Sequence, residues 1–523
     1  MSHFLLEEDF TKKQRFTSVH KRIFYLLISL AIIATVVLLI AFLLPRGWEP
    51  PIKKTNIIMM VGDGMGPASL TMARISFSKD FTEEKSLFLD PYLVGTVRTY
   101  SHSNDVTDSA AAATAYASGI KTTNDVVGVD HLNKPAGTLF EAAKLKQMKT
   151  GVVVTTRISD ATPACYFSHS VNRNYEYFII NQLLEKDLDV VLGGGKMYFG
   201  DNFDKIQSYN YTFVNTTEQM NNVASGKIMG LFADYNIPWE IDRLNDPILK
   251  KNVPSLSEMT KKALDLINQN NEHGFILMVE GSKIDVAAHI NDAPTQIYET
   301  REFDNTFELV REWAEKDGNT IVIVTADHET GGLTLAYQEE IDGHPMYSWS
   351  PETLLQVTKS ADEMARIITT NATKDVNVTQ VIHQYTGITI KPEEEEKILS
   401  FLQYRDTDSN RFRAINQQIG RIVSNYAHVG FTTGGHSGVD VNLYTYGDKI
   451  SPEKFEEREK KDELYTTDNY KDTMLMGNVN NIEIASFISQ ALGLDLPNIT
   501  KSLINFDPNG KAYEDEMIHK YSK

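Results

Sequence analysis

A single cysteine, Cys165, stands among 523 residues, so no internal disulfide framework can hold this chain together. Its stability must come from an apolar core or from bound ions. Positive charge is scarce too: 51 Lys/Arg face 70 Asp/Glu, a formal charge of −19. Residues 1–22 hold five basic and three acidic residues, so the remainder carries −21 (−19 minus +2). That excludes nucleic acid as a partner, because binding its backbone needs a basic surface. An acidic protein can still bind phosphate where metals invert the local field. No Lys-Ser/Thr follows Gly193-Gly194-Gly195 at P-loop spacing, so these glycines read as a turn. What is present, 41% hydrophobic and 23% charged residues, suits a globular protein with a large core.

Charge is wholly missing from Ile23 to Leu44, a 22-residue apolar run long enough to cross a bilayer of about 30 Å. No small-residue cleavage site follows it, so it reads as an uncleaved signal anchor. Lys12, Lys13, Arg15, Lys21 and Arg22 precede the span, and by the positive-inside rule they keep the amino terminus in the cytosol. The rest then lies in a lumen or outside the cell as a type II membrane protein. Five N-x-Ser/Thr acceptors, at Asn210, Asn215, Asn371, Asn377 and Asn498, all lie beyond the span and agree with that orientation. The expected division is a cytosolic tail (1–22), the anchor (23–44), a linker (45–53), a catalytic domain (54–504) with an insert at about 340–430, and a tail (505–523) that is loose or wraps a partner.

Four short apolar runs each end in polar residues: Ile57–Val61 before Asp63, Val152–Val154 before Asp160 and Thr162, Phe275–Val279 before Glu280 and Asp285, and Ile321–Val324 before Asp327-His328. Such runs predict strands buried on both faces, hence an α/β fold with a large, mostly parallel central sheet in a three-layer sandwich. Sheets of this kind bind ligands beyond the carboxyl ends of their strands. Several carboxylates gathered there repel one another unless cations intervene, zinc for mixed Asp/His sets and magnesium for oxygen sets.

Thr107–Gly119 has the alanine density of a helix, with Gly119 as its stop. Asp108 or Ser109 then reads either as an N-cap or, for Ser109, as a nucleophile facing an anion at a helix amino terminus. No Gly-x-Ser-x-Gly elbow surrounds Ser109, so a metal would have to activate it. Asp285 and His289, four apart, share one face of a helix and can clip a metal or simply pair at a surface.

The strings Gly62-Asp63-Gly64-Met65-Gly66, Thr107-Asp108-Ser109-Ala110-Ala111, Asp160-Ala161-Thr162-Pro163-Ala164, Glu280-Gly281-Ser282-Lys283-Ile284-Asp285, Asp327-His328-Glu329-Thr330-Gly331-Gly332 and Gly435-His436-Ser437 resemble those of the alkaline phosphatases, in that family's order. With the anchor, the resemblance is nearest to the family's membrane-anchored fungal vacuolar members. It implies two zinc ions and one magnesium ion per subunit. Asp285, His289 and His436 would hold one zinc, Asp63, Asp327 and His328 the other, and Asp63, Thr162 and Glu280 the magnesium, with Asp160 behind them. It further implies Ser109 as nucleophile, Arg173 as the fork on the phosphoryl group, Asp108 orienting Arg173, phosphate monoesters of broad range as substrates, an alkaline pH optimum, a homodimer and the vacuole membrane. The pair that varies near magnesium and phosphate in this family is here Asp160 and Val286, and Val286 offers no polar group.

Two other readings compete. A phosphodiesterase of the same superfamily typically carries a threonine nucleophile and lacks the Thr162 and Glu280 set. A non-catalytic, glycosylated type II receptor would use the metals only for stability. A sulfatase is excluded because Ser109 is followed by alanines, not by x-Pro-x-Arg.

Overall fold

The apolar runs place themselves side by side. In the computed structural model, which describes residues 25–30, 32, 34–35, 54–76, 86–370, 377–403, 408–447 and 475–521, a ten-stranded sheet forms the centre. Its first eight strands in chain order are β1 (Asn56–Val61), β2 (Leu93–Arg98), β3 (Lys149–Arg157), β4 (Val190–Gly194), β5 (Tyr211–Val214), β6 (Lys227–Leu231), β7 (Phe275–Glu280) and β8 (Thr320–Thr325). From β8 the order is β1, β7, β3, β4, β6, β5, all parallel. On the other side of β8, the strand Val441–Tyr446 runs antiparallel both to β8 and to β2, and Gly477–Asn480 lies parallel to β2 at the edge. One strand of the ten therefore opposes the rest, and the expected α/β class with a mostly parallel sheet is what the molecule has.

β1, β7 and β8 are buried at every position, as β-branched and long aliphatic side chains on a two-sided sheet require. Helices Leu139–Leu145, Leu256–Ile267 and Ala293–Asp317 pack against it. The strands richest in apolar residues thus lie at the middle, and their carboxyl ends converge.

Three features depart from or add to the sequence reading. Gly193 and Gly194 do not turn; they continue β4, and only Gly195, at φ +90°, leaves it. The reason is close packing: a Cβ on Gly194 would lie 2.1 Å from the Tyr235 carbonyl oxygen. Within the stretch expected as an insert, helices Ala361–Thr370, Val378–Thr386, Pro392–Leu402 and Asp408–Tyr426 share a second apolar cluster that includes Met364, Ile382, Ile398 and Ile419. The C-terminal segment, expected to be loose or to wrap a partner, instead forms a helix over Lys511–Tyr521, with Met517 buried and Glu514 accepting from the Phe178 amide against the helix Glu176–Glu185.

The described residues from Lys54 onward belong to one compact unit. Of the expected span Ile23–Leu44, only residues 25–30, 32, 34 and 35 are described, all helical, so that expectation lies largely outside the described residues. Among the described residues no helix is long and apolar enough to cross a membrane. Asn371 also falls outside the described residues; Asn210, Asn215, Asn377 and Asn498 are exposed.

Candidate active site

β1 ends at Val61 and the chain turns at once through Gly62-Asp63-Gly64, which delivers Asp63 beyond the sheet. Gly64 has to be glycine: its φ is +68°, and a Cβ there would lie 2.7 Å from Cα of Asp285. Its amide donates to Asp327 Oδ1 at 3.0 Å, so the backbone itself binds the acidic cluster. From β3 comes the helix Ala161–Phe167, capped by Asp160, with Thr162 buried in its first turn. From β7 come Glu280 and the helix Lys283–His289 carrying Asp285 and His289 one turn apart. From β8 come Asp327 and His328, both fully buried.

His436 arrives from a distant part of the chain. The short strand His436–Ser437 pairs antiparallel with Glu329–Thr330, setting His436 opposite Thr330. Its imidazole stacks on that of His328, with ring centroids 3.5 Å apart.

The helix predicted over Thr107–Gly119 runs from Ser109 to Ser118 and ends at Gly119 in the left-handed region. Asp108 is the N-cap, accepting from the Ala111 amide, and Ser109 is the first helical residue. All ten helical residues are buried, which small alanines allow against the helix Ala161–Phe167. Tyr116 on the same helix donates to the Ala326 carbonyl at 2.6 Å, tying it to the end of β8. Ser109 Oγ thereby stands 3.2 Å from His328 Nε2.

Arg173 is held by two carboxylates, Nη1 to Asp108 Oδ2 at 3.1 Å and Nη2 to Asp160 Oδ1 at 3.3 Å. Asp160 is shared: its Oδ2 lies 3.1 Å from Nη2 of Arg157, whose Nε donates to Glu176. Burial alone would raise Asp160, but Arg157 and then Arg173 hold it below its ordinary value. All the residues proposed from sequence for the metals and the phosphate thus surround one spot.

Whether this donor set suits cations can be judged from protons. His289 Nδ1 lies 2.7 Å from the Gly434 carbonyl and His436 Nδ1 2.9 Å from the Thr107 carbonyl, so in the neutral rings these nitrogens carry the hydrogens. Their Nε2 lone pairs then face each other at 3.2 Å, with Asp285 Oδ2 3.2 Å from His289 Nε2. Lone pairs and a carboxylate so close demand a positive charge among them. On the other side, Asp63, Asp327 and His328 converge. Asp63 Oδ1 and Asp327 Oδ2 are, among the described residues, the only buried carboxylate oxygens without a hydrogen-bond partner of normal geometry, and Thr162 Oγ1 lacks one too. The three orphans belong to the sets expected to hold zinc and magnesium.

Electrostatics point the same way. Burial, then the charges of Asp327, Asp285, Glu280 and Asp160, raise Asp63 well above the usual carboxylate range. Glu280 is pushed up to about 8, by burial first and with Asp160 and Asp327 adding to it. Burial and then Asp285 raise Asp327 to about 6. The charge of Asp285 lifts His289 to about 9, and although burial opposes it, His289 and then His436 hold Asp285 below its ordinary value. Burial and then His436 press His328 well down. Without cations, protons supply the missing positive charge; with cations, they must leave.

Several supporting groups carried no signal in the sequence. Ser282 Oγ accepts from the Thr155 and Thr156 amides and donates to Glu280 Oε2 at 2.7 Å, aiming that carboxylate. Gln417 and Arg421, on the helix Asp408–Tyr426, donate to the His289 carbonyl and to Asn291 and brace the turn after His289. Arg157, which pairs with Asp160 and Glu176, gave no sign of that role either. Hydroxyls and amides of this kind are too common for spacing to single them out.

The alkaline phosphatase family model matches residues 54–494, most of the chain and every residue of the site described above. The chain belongs to the alkaline phosphatase family. It is 36% identical to the repressible alkaline phosphatase of Saccharomyces cerevisiae, over 90% of this chain and 88% of that one. The cold-active alkaline phosphatase of a psychrophilic Shewanella sp. superposes with a TM-score of 0.70 at 32% identity, covering 84% of this chain and 99% of that structure. A mutant of the TAB5 alkaline phosphatase, described with Mg bound in its M3 site, gives 0.57 at 26% identity over 84% and 99%. As an alkaline phosphatase, this chain is a phosphate-monoester hydrolase.

Proposed function

We propose that the chain hydrolyses a broad range of phosphate monoesters at alkaline pH through a phosphoserine at Ser109, with two zinc ions and one magnesium ion per subunit. The observation that carries this reading is Ser109 Oγ at a helix amino terminus, 3.2 Å from His328 Nε2 and beside the orphaned oxygens of Asp63 and Asp327. Asp285, His289 and His436 would hold one zinc, Asp63, Asp327 and His328 the other, and Asp63, Thr162 and Glu280 magnesium; the Mg reported for the TAB5 mutant supports a magnesium position. Bound there, the ions would supply positive charge to the entering and leaving oxygens and lower the pKa of the serine hydroxyl.

The chain's own residues do the rest. Ser109 Oγ gives up its proton and bonds to phosphorus as the bond to the alcohol oxygen breaks and that oxygen gains a proton, and water later cleaves the phosphoserine, one of its protons returning to Ser109 Oγ as phosphate is freed. The helix dipole behind Ser109 favours the anion. Arg173 offers five N–H donors; two are taken by Asp108 and Asp160, so the fork keeps hydrogens for two phosphoryl oxygens. None of these groups needs to touch the alcohol, which supports broad specificity.

The sequence also supports a three-layer domain with an inserted cap, a signal anchor at Ile23–Leu44, a lumenal catalytic domain and glycosylation at the exposed acceptors; the family resemblance adds a homodimer and the vacuole membrane, with the cell surface as the alternative. A direct test is p-nitrophenyl phosphate hydrolysis by the full chain, from pH 5 to 10, stripped of metal and then resupplied. Activity that rises toward alkaline pH and returns only with zinc and magnesium supports the reading; none in a folded, metal-loaded sample refutes it. Ser109→Ala should abolish both turnover and acid-trapped phosphoprotein, and turnover surviving in that variant would remove Ser109 from the mechanism.

A further inference from the structure

Thr330 is fully buried, lies opposite His436 in the short strand pair, and touches both candidate zinc sets. Its hydroxyl donates to Asp285 Oδ1 at 2.5 Å and lies 3.2 Å from His328 Nδ1. A hydroxyl has one proton to give and lone pairs with which to accept. As a metal ligand Asp285 is a carboxylate, an acceptor with no proton to offer, and its Oδ1 faces the Thr330 hydroxyl. The threonine proton therefore belongs to Asp285, and Thr330 Oγ1 must accept from His328 Nδ1–H. That fixes the His328 tautomer, leaving the Nε2 lone pair directed at Asp63 and Asp327.

We propose that Thr330 is a positioning residue that joins the two candidate zinc sets, one hydroxyl aiming Asp285 in the first and locking His328 as a ligand in the second. The bond to Asp285 makes Thr330 Oγ1 a better acceptor, and that in turn makes the His328 imidazole a better donor of its Nε2 lone pair. Neither serine's missing methyl nor valine's extra one changes the volume much, so the hydroxyl can be tested apart from the packing.

The inference rests on the metal reading above. The test is zinc titration of the metal-stripped full chain, against a competing chromophoric chelator, for wild type, Thr330→Val and Thr330→Ser. The expected result is that Thr330→Val binds both zinc ions about 10–100-fold more weakly, the usual effect of losing an outer-sphere partner, whereas Thr330→Ser binds like wild type. Weakening at one zinc only, or none at either, overturns the bridging role even while wild type binds zinc. Wild type that takes up no zinc overturns the metal reading and this inference with it. Independently of how Thr330→Val folds, 15N spectra of histidine-labelled, zinc-loaded wild type should show His328 protonated at Nδ1, and protonation at Nε2 would sink the proposal.

Discussion

Filling the acidic cluster with cations should expel protons, and the number can be worked out. At pH 7 two groups in the metal-free site hold a proton, Glu280 at about 8 and His289 at about 9, while burial and the neighbouring carboxylates raise Asp63 well above its ordinary range. Asp327, at about 6, is mostly ionised by then. All four must be unprotonated to serve as ligands. Loading stripped protein at pH 7 should therefore release about two protons from Glu280 and His289, with any held by Asp63 adding to them, and apparent affinity should rise about tenfold per pH unit for each proton displaced. The sign follows from the direction of the shifts: raised groups keep their protons below their metal-free values, so cations compete poorly in acid and the penalty fades toward pH 9. Calorimetric titration in buffers of different ionisation enthalpy counts the protons directly. A count near zero at pH 7, or an affinity independent of pH between 6 and 9, would refute the argument that protons stand in for cations here.

Three substitutions probe the surroundings. Arg157→Met leaves Asp160 and Glu176 without a partner they share at low exposure, and should cost about 3–5 kcal/mol in urea denaturation of the metal-free chain; a loss well under 1 kcal/mol would show that the pairing is unimportant. Gly64→Ala drives a Cβ to within 2.7 Å of Cα of Asp285 at a positive φ and should cut zinc content, read by atomic emission, without unfolding the protein; full zinc retention would contradict the close approach. Val286→Lys, on the helix that carries Asp285, should tighten inhibition by inorganic phosphate, since the family resemblance sets this position near phosphate and valine offers no polar group, and equal inhibition constants for the two proteins would refute this.

Much of this was legible before folding. The runs in β1, β7 and β8 announce themselves because strands buried on both faces can hold little but apolar residues, and polar residues at their carboxyl ends mark where ligands gather. Asp108 and Ser109 were harder: an alanine-rich helix start leaves cap and nucleophile interchangeable, and only the structure assigns the cap to Asp108 and brings Ser109 to His328. The glycines of β4 misled because the need for a small residue between strands looks, in sequence, like the need for a turn.

The sequence by itself determined which donors exist and that they stand at strand ends, because side-chain chemistry and apolar periodicity are local properties. The tertiary structure alone decided that they meet. Placing β8, β1, β7 and β3 side by side brings Asp327, Asp63, Glu280 and Asp160 within each other's fields, and folding back 147 residues sets His436 against His289. Charge repulsion acts through space and not along the chain, so the demand for cations, and the single threonine hydroxyl joining their two sets, appear only once the sheet is assembled.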